Sequence, residues 1–238
     1  MRIEQIGYST LYLCDCMDLM AVLPDKSIDL AIVDPPYGIG VSKKISGTGQ
    51  CKRVNGKIKV IKPMETGKSE KWDSEPPPQN YFDELFRVSK YQIIWGGNYF
   101  MDKIQKPSKC WIGFIKAFIS DSMSHSNIEF AYTNLDGVSK YFRQSLNIGG
   151  CGSVPTQEER IHPCQKPIKL YKWLLSKYAK QGDKILDTHF GSGSIAIACY
   201  DMGFSLVASE IDEDYYNAAV NRLKHFAAQG TLDFSEAV

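Results

Sequence analysis

Residues 28–37 read IDLAIVDPPY, and this stretch decides how the rest of the chain is interpreted. The apolar run from Ile28 to Val33 predicts a buried strand. The strand has to end there, because two successive prolines cannot donate to a sheet and restrict the backbone to extended conformations. Asp34 and Tyr37 are therefore predicted to lie just past the carboxyl end of a strand, at the edge where open α/β sheets bind ligands.

The side chains of this stretch suit a planar amine as ligand. Asp34 can accept a hydrogen bond from an exocyclic amino group, the Pro35 carbonyl can accept a second one, and Tyr37 offers a ring for stacking. A second interpretation is an Asp that caps a helix ahead of a proline turn. Four residues do not separate these interpretations, so the rest of the chain has to decide between them.

The composition limits the classes of protein to consider. The chain has 238 residues, of which 43% are hydrophobic and 23% charged, and its formal net charge is +1, as in an ordinary globular protein. We find neither a membrane-spanning apolar run nor a signal-peptide pattern, so a cytoplasmic location without membrane contact is expected. The 7 cysteines are odd in number and lack Cys-x-x-Cys spacing, which favours reduced thiols and argues against a metal site.

Short apolar runs alternate with segments of helical periodicity, which predicts an α/β fold with a mostly parallel sheet and helices on both faces. The predicted strands are residues 10–14, 28–33, 91–95, 110–115, 128–133, 184–186 and 205–209. The predicted helices are residues 17–23, 79–88, 98–104, 195–202 and 212–226, with another helix directly after residue 167. Residues 136–155 are rich in Gly, Ser and Asn without periodicity and are predicted to form a loop.

A basic insertion follows the DPPY stretch. Residues 38–78 lack a clear period, and nine lysines and arginines lie between residues 43 and 71, against Glu65 and Glu70. A loop this long is usually functional, and its charge suits contacts with phosphates. The alternative is a solvated surface insertion. Its position directly after Asp34 favours the functional interpretation.

The last third of the chain has the pattern of a nucleotide site. A predicted strand runs into DTHFGSGS at residues 187–194, a helix and a further strand follow, and that strand closes on Glu210. Gly191 and Gly193 allow a tight turn close to a ligand, and Glu210 lies where an acid holds ribose hydroxyls. The turn lacks both the third glycine of the dinucleotide fingerprint and the Gly-Lys-Ser/Thr of a phosphate loop. A cofactor with ribose but no pyrophosphate, such as S-adenosylmethionine, fits this pattern.

Four of the predicted strands end in an acid, namely at Asp15, Asp34, Asp187 and Glu210. If these strands are parallel in one sheet, the four acids share one edge. The strand before Asp34 and the strand before the glycine turn would then be neighbours at the point where the strand order reverses. This arrangement would place a methyl donor beside an amine acceptor.

Together these motifs resemble the amino-methyltransferases of DNA. DPPY at 34–37 combined with the downstream Phe-x-Gly-x-Gly turn resembles that family, and the motif order resembles its β class, a circular permutation of the class I methyltransferase fold. HPCQKP at 162–167, WGGN at 95–98 and IEFAY at 128–132 are similar to further motifs of the class. The resemblance implies one Rossmann-like domain over 1–238, with target recognition in the basic insertion 38–78 and in segment 114–160.

The resemblance also implies roles for individual residues. The amine pocket would consist of Asp34, Pro35, Pro36 and Tyr37. The cofactor site would consist of Asp15, Cys16, Asp34, His162, Gln165, Lys166, Pro167, Asp187, Phe190, Gly191, Ser192, Gly193, Ser194, Glu210 and Ile211. Two positions depart from the family pattern: Thr188-His189 stands where a proline is common, and Cys164 stands where a threonine is usual.

The implied activity is methyl transfer from S-adenosylmethionine to N6 of adenine in double-stranded DNA, directly onto a flipped base. Alternatives are N4 of cytosine in the same pocket, adenine in RNA, or a non-catalytic module that binds nucleic acid. Asp34 favours adenine, because the family usually has Ser there for cytosine. A homodimer and a restriction-enzyme partner are further expectations from the resemblance.

Overall fold

The computed structural model describes residues 1–40, 50–54, 57–61, 73–116, 126–144, 161–162 and 164–229. The described strands are β1 (Arg2–Ile6), β2 (Ser9–Leu13), β3 (Ile28–Val33), β4 (Gln50–Val54), β5 (Lys57–Ile61), β6 (Ser89–Trp95), β7 (Ile112–Lys116), β8 (Ile128–Thr133), β9 (Lys140–Gln144), β10 (Lys184–Asp187) and β11 (Ser205–Glu210). The helices are α1 (Cys16–Val22), α2 (Gln79–Val88), α3 (Met101–Ile104), α4 (Ile168–Tyr178), α5 (Ser194–Met202) and α6 (Glu213–Gln229), with a 3₁₀ turn at Gly97–Tyr99.

Nine of these strands form one sheet in the order β1-β2-β11-β10-β3-β6-β8-β7-β9. From β2 to β6 every neighbouring pair is parallel. Asp15, Asp34, Asp187 and Glu210 therefore lie at one edge, which we call the carboxyl edge, as the sequence predicts. β10 and β3 are neighbours, and the strand order reverses between them, so the predicted placement of the two motifs is also confirmed.

The far side of the sheet is antiparallel. β8 runs against both β6 and β7, so that β8 begins at the carboxyl edge rather than ending there. β9 pairs in parallel with β7, although its residues fall inside the predicted loop 136–155, and that prediction is wrong for residues 140–144. β1 adds an antiparallel edge strand next to β2 that the sequence did not indicate. Both are edge strands, whose pairing depends on a partner more than on a buried pattern of their own.

The helices cover both faces of the sheet, as predicted. On β3, Leu30 and Ile32 point into a core shared with α4, α5 and α6, whereas Ala31 and Val33 point into a core shared with α1, α2 and α3. Strand positions that are buried on both faces of a sheet have to be apolar, which explains the continuous apolar run from Leu30 to Val33 before Asp34. Each fully buried Leu or Ile contributes about 1.5–3 kcal/mol, so the strand that carries the DPPY motif is firmly anchored.

Two predicted segments lie partly outside the described residues. Within the basic insertion, the structure describes residues 38–40, 50–54, 57–61 and 73–78, and β4 and β5 pair antiparallel where a loop was expected. Within segment 114–160, residues 117–125 and 145–160 are outside the described part. Among the described residues, no helix has the length and apolarity needed to cross a membrane. The same residues contain no group of three or more His, Cys, Asp or Glu side chains placed to hold a metal ion.

Candidate active site

The DPPY motif forms a rigid aromatic corner at the carboxyl edge. After β3 the chain turns so that the Tyr37 hydroxyl donates to Oδ1 of Asp34 over 2.7 Å. The Tyr37 ring stacks on Tyr99, with 5.3 Å between centroids and 21° between planes, and meets the edge of Phe100. Because Tyr99 is 43% exposed, the stacked pair lies at the surface of the site.

The glycines of WGGN make room for this corner. Gly96 has φ +70°, and a Cβ built there would lie 2.5 Å from Cδ1 of Tyr37. A Cβ on Gly97 would lie 2.5 Å from Cβ of Tyr132. Real Cβ atoms do not approach other atoms this closely, so both positions require glycine. Gly96 therefore acts as the floor on which the Tyr37 ring rests.

The Asp34 carboxylate belongs to a chain of charges. Lys166 Nζ forms an ion pair with Oδ2 of Asp34, lies 3.3 Å from the Tyr37 hydroxyl oxygen, and lies 3.2 Å from Oε2 of Glu129. Glu129, near the beginning of β8, also pairs with Lys116 at the end of β7. The sequence analysis assigned Lys166 to the cofactor site, and in the structure its ammonium contacts Asp34 and Tyr37 of the DPPY motif.

Burial and charge perturb these groups in different directions. Burial raises the pKa of Asp34 above its usual value, although Lys166 and Tyr37 oppose this effect. Burial also acts to raise the pKa of Glu129, but Lys166 and Lys116 outweigh it and lower that pKa to about 2. For Lys166, burial acts to lower the pKa, and the two carboxylates raise it above the usual value. Lys166 is therefore charged throughout the physiological pH range.

A cleft of about 160 Å³ opens at the ends of β2, β10 and β11. Its lining residues are Cys14, Asp15, Cys16, Thr188, His189, Glu210 and Ile211. Asp15 caps α1 by accepting from the Met17 amide over 2.8 Å. Ile211 is 70% exposed at the mouth, where its side chain is available to a flat ligand. The cleft brings together four of the predicted cofactor residues from two distant parts of the chain.

The glycine-rich turn lies beside this cleft. Phe190 is buried, and its amide donates to the Ser209 carbonyl over 2.9 Å. Gly193 has φ +70°, and a Cβ there would lie 3.0 Å from Cβ of Ala219 on α6. Ser192 and Ser194 are buried and contact each other, Oγ to Oγ, at 3.1 Å. Contacts with β11 and α6 therefore fix the conformation of the glycine-rich turn.

Glu210 closes the turn. One carboxylate oxygen accepts from the Gly191 amide over 2.7 Å, and the other accepts from the amides of Ile211 and Asp212 over 3.0 Å each. Burial raises the pKa of Glu210, and these three amides oppose the rise. The acid that the sequence assigned to ribose is thus fixed in orientation by the backbone.

The HPCQKP segment lies between the two halves of the site. His162 packs against Tyr215 with 4.6 Å between ring centroids, and a Cβ on Gly191 would lie 3.9 Å from its Cγ. Gln165 accepts from the Ile161 amide over 3.1 Å, and Pro167 precedes the first turn of α4. His162 therefore lies beside the glycine turn, while Lys166, four residues later, reaches Asp34.

The departure at Thr188-His189 has a structural explanation. The Thr188 hydroxyl lies 2.7 Å from the Tyr81 hydroxyl and 2.9 Å from Nδ1 of His189. Burial lowers the pKa of His189 to about 4, so the ring is neutral at physiological pH. Asp187 is also buried, and burial raises its pKa to about 8. His189 both packs on Tyr81 and lines the cleft, so its role combines packing with access to a ligand.

Sequence reasoning missed two residues beside the DPPY motif, Glu129, which contacts Lys166, and Tyr99, which stacks on Tyr37. An acid inside an aromatic strand was a usable signal for Glu129. That signal would have pointed to the site only if β8 had been recognised as antiparallel to β6. The first residues of an antiparallel strand, Glu129 among them, lie at the carboxyl edge of its neighbours. Tyr99 follows the WGGN motif directly, and an aromatic residue at that position was the available signal.

Comparison with known proteins shows relatives of one kind. The sequence model of the N6/N4 methylase family, described as DNA methylase, matches residues 91–221, more than half of the chain. The Type II methyltransferase M.HpaI of Haemophilus parainfluenzae is 26% identical over 240 residues, covering 84% of this chain and 69% of that protein.

Solved structures share the fold. The crystal structure of the M1.HpyAVI–SAM complex superposes with a TM-score of 0.56 at 16% identity, covering 90% of this chain and 100% of that one. The PvuII DNA methyltransferase, described as cytosine-N4-specific, gives a TM-score of 0.56 at 11% identity over 93% of this chain and 92% of that one. The predicted α/β methyltransferase fold is thereby confirmed.

Proposed function

The chain belongs to the N6/N4 DNA methylase family, and from this membership we propose that it transfers a methyl group to N6 of adenine in double-stranded DNA. The observation that carries the proposal is the amine pocket. Asp34 and Tyr37 are fixed at the end of β3, directly beside the strand β10 that leads into the glycine turn. An acceptor for an amine and a stacking surface for a base thus adjoin a nucleotide-type cleft.

S-adenosylmethionine is the cofactor. The residues present fit it, because the cleft offers a carboxylate for ribose hydroxyls at Glu210, an exposed apolar side chain for adenine at Ile211, and a glycine turn for the methionine part. Asp15, Cys16 and His162 complete the set that would hold it, with Phe190 buried beneath the turn. When bound, this cofactor supplies an electrophilic methyl group on a sulfonium, so the protein needs no covalent nucleophile.

The protein contributes by orienting the amine. The lone pair of an adenine amine is delocalised into the ring, which makes the nitrogen a poor nucleophile. Hydrogen bonds from its two N–H groups to Asp34 and the Pro35 carbonyl would hold the nitrogen in line and favour its pyramidal form. After transfer, the nitrogen carries one proton more than the neutral product, and the carboxylate of Asp34 would accept it.

The target base has to leave the duplex to reach this pocket. Flipping costs a few kcal/mol, on the order of what one stacked base recovers on an aromatic ring, about 1–3 kcal/mol. Tyr37, already stacked on Tyr99, is the surface that would receive the base. The basic insertion 38–78 and segment 114–160 are the parts that we propose for DNA contacts within a single domain spanning 1–238.

Asp34 is the reason for preferring adenine. A solved relative of the same fold is described as cytosine-N4-specific, and N4 of cytosine is the second candidate, because its amine has the same donors. RNA adenine would fit the same pocket, and a module that only binds nucleic acid would not require the Asp34–Tyr37 pair to be intact.

The test is transfer of a labelled methyl group from S-adenosylmethionine to duplex DNA, followed by nucleoside analysis. N6-methyl-2′-deoxyadenosine is the expected product, and N4-methyl-2′-deoxycytidine would overturn the choice of adenine as the target base. Label on RNA but not on DNA would contradict the proposal that DNA is the substrate. No label on either nucleic acid would contradict the proposal that the protein is an active methyltransferase. Asp34→Ala should abolish transfer and keep cofactor binding measurable, whereas Lys172→Ala, which breaks an exposed pair with Asp201, should leave transfer unchanged.

A further inference from the structure

Lys166 occupies an unusual position for a lysine. Its side chain is 5% exposed, and its ammonium lies between two carboxylates, Asp34 at the end of β3 and Glu129 on β8. The same ammonium lies 5.9 Å from the centre of the Tyr37 ring and 5.2 Å from that of Trp95. An ordinary surface lysine keeps its charge in water, so a buried one needs a reason to be there.

The chemistry of the pocket supplies a reason. Asp34 can accept an N–H of a base amine at either oxygen only as a carboxylate, because a protonated carboxyl presents a donor in place of one acceptor site. Burial at the end of β3 favours the protonated form, since it strips water from the charged one. A fixed cation at the carboxylate counters this tendency.

Glu129 shares that cation. It has its own second partner in Lys116, and its Oε2 lies 3.2 Å from Lys166 Nζ. An ammonium that binds Asp34 alone would compete with the incoming amine for the same oxygen atoms. An ammonium also held by Glu129 can remain in place while Asp34 exchanges one of its contacts.

We propose that Lys166 is a positioning residue that keeps Asp34 in its carboxylate form, and that Glu129 limits how strongly the ammonium holds Asp34. The inference rests on the proposed function, because it concerns the acceptor for the amine. It assigns to Lys166 a part in the amine pocket beyond the cofactor role implied by its motif, and it gives a role to Glu129, to which the IEFAY motif at 128–132 had assigned none.

The groups that face Asp34 come from several elements. Tyr37 belongs to the same motif, Lys166 and Cys164 belong to the segment before α4, Glu129 lies on β8 and Asp187 on β10. Lys166 is the one cation among these groups. Removing its charge leaves Asp34 with the negative charge of Glu129 and no counter-charge from the set, while Asp187, whose pKa burial raises to about 8, is mostly neutral at physiological pH.

The test compares Lys166→Met, Lys166→Arg and Glu129→Gln with Lys172→Met as the matched surface control. The titration of Asp34 is followed in the full chain by ¹³C NMR of Asp side-chain carboxyls, with Asp34→Asn identifying the signal. We expect Lys166→Met to move the midpoint up by roughly 1–3 pH units, the range for losing one opposite charge. Glu129→Gln should move it down, and Lys166→Arg and Lys172→Met should leave it near the wild-type value.

Single-turnover methyl transfer to duplex DNA over pH gives the second readout. The acid limb of the rate should follow the NMR midpoint upward in Lys166→Met and downward in Glu129→Gln. Opposite shifts would not arise from a loss of packing, which would lower the rate equally at every pH. An unmoved midpoint in Lys166→Met would overturn the inference, and so would shifts of the same sign in both variants. If the wild type transfers no methyl group to DNA, the proposed function fails, while the NMR titration still decides the effect of Lys166 on Asp34.

Discussion

Gly96→Ala is the change that most directly tests the aromatic corner. The added Cβ would lie 2.5 Å from Cδ1 of Tyr37, so the Tyr37 ring has to move. The residue also has φ +70°, a conformation that costs a non-glycine residue roughly 1–2 kcal/mol. The variant therefore combines backbone strain with displacement of the ring on which the base would stack.

Gly203→Ala separates these two effects. Gly203 ends α5 with φ +73°, so it carries the same strain, but the nearest atom to its Cβ is Nε2 of Gln181 at 3.5 Å, an ordinary contact. Each variant should lose about 1–2 kcal/mol of stability from strain, and Gly96→Ala should lose about 1–3 kcal/mol more from overpacking. Only Gly96→Ala should weaken base capture, by about 1–3 kcal/mol, or roughly 5- to 150-fold in kcat/KM.

The assay is steady-state methyl transfer to duplex DNA at a temperature well below both melting points, with calorimetric binding of S-adenosylmethionine as a check on the cleft. Cofactor binding should survive in both variants, because Gly96 is not among the residues that line the cleft. Wild-type kcat/KM in Gly96→Ala would refute the view that Tyr37 is fixed by this contact. An equal loss in Gly203→Ala would show that backbone strain, rather than the ring, is responsible.

Two further changes address the cofactor side. Glu210→Gln should weaken binding of S-adenosylmethionine by roughly tenfold or more, because a neutral amide accepts more weakly from ribose hydroxyls and its NH2 end would face a backbone amide donor, which disturbs the orientation of the side chain; an unchanged Kd would remove Glu210 from the site. Asp187 has a folded pKa of about 8 against an unfolded value of 3.8, so its contribution to stability is complete below pH 3.8 and is lost as the pH rises to about 8. Asp187→Asn should therefore raise the Tm of the cofactor-free protein at pH 8 relative to wild type, with the difference shrinking toward pH 4, and a pH-independent difference would contradict the burial argument.

The sequence was sufficient to predict those elements whose hydrophobic or glycine pattern lies within one short segment. From Leu30 to Val33, β3 is apolar at every position because helices cover both its faces, and two prolines mark its end. The glycine turn after β10 is similarly local, since φ +50° at Gly191 and +70° at Gly193 call for glycine. The shared edge of the four acids followed from these local patterns and the rule for parallel sheets.

The remainder depends on pairing between distant segments. Nothing in the order of residues around β8 indicates that it runs against β6, and that direction brings Glu129 to Lys166 at the carboxyl edge. Lys166 was found by its motif, but the motif gives no direction to a long side chain. Its ammonium contacts Asp34, and the motif did not indicate that contact.

The position of Lys166 bears on how a permuted chain can work at all. The amine motif comes early in the chain and the glycine turn comes late, so neither forms a site until β10 inserts beside β3. The segment before α4 precedes β10 in sequence, and it supplies both His162 beside the glycine turn and Lys166 at Asp34. One short segment thus contacts both motifs, and its ion pair with Asp34 links the DPPY motif to the segment that lies beside the glycine turn. Removing the ion pair between Lys166 and Asp34 should therefore shift the DPPY motif relative to the glycine turn more than it lowers the stability of β3 or β10.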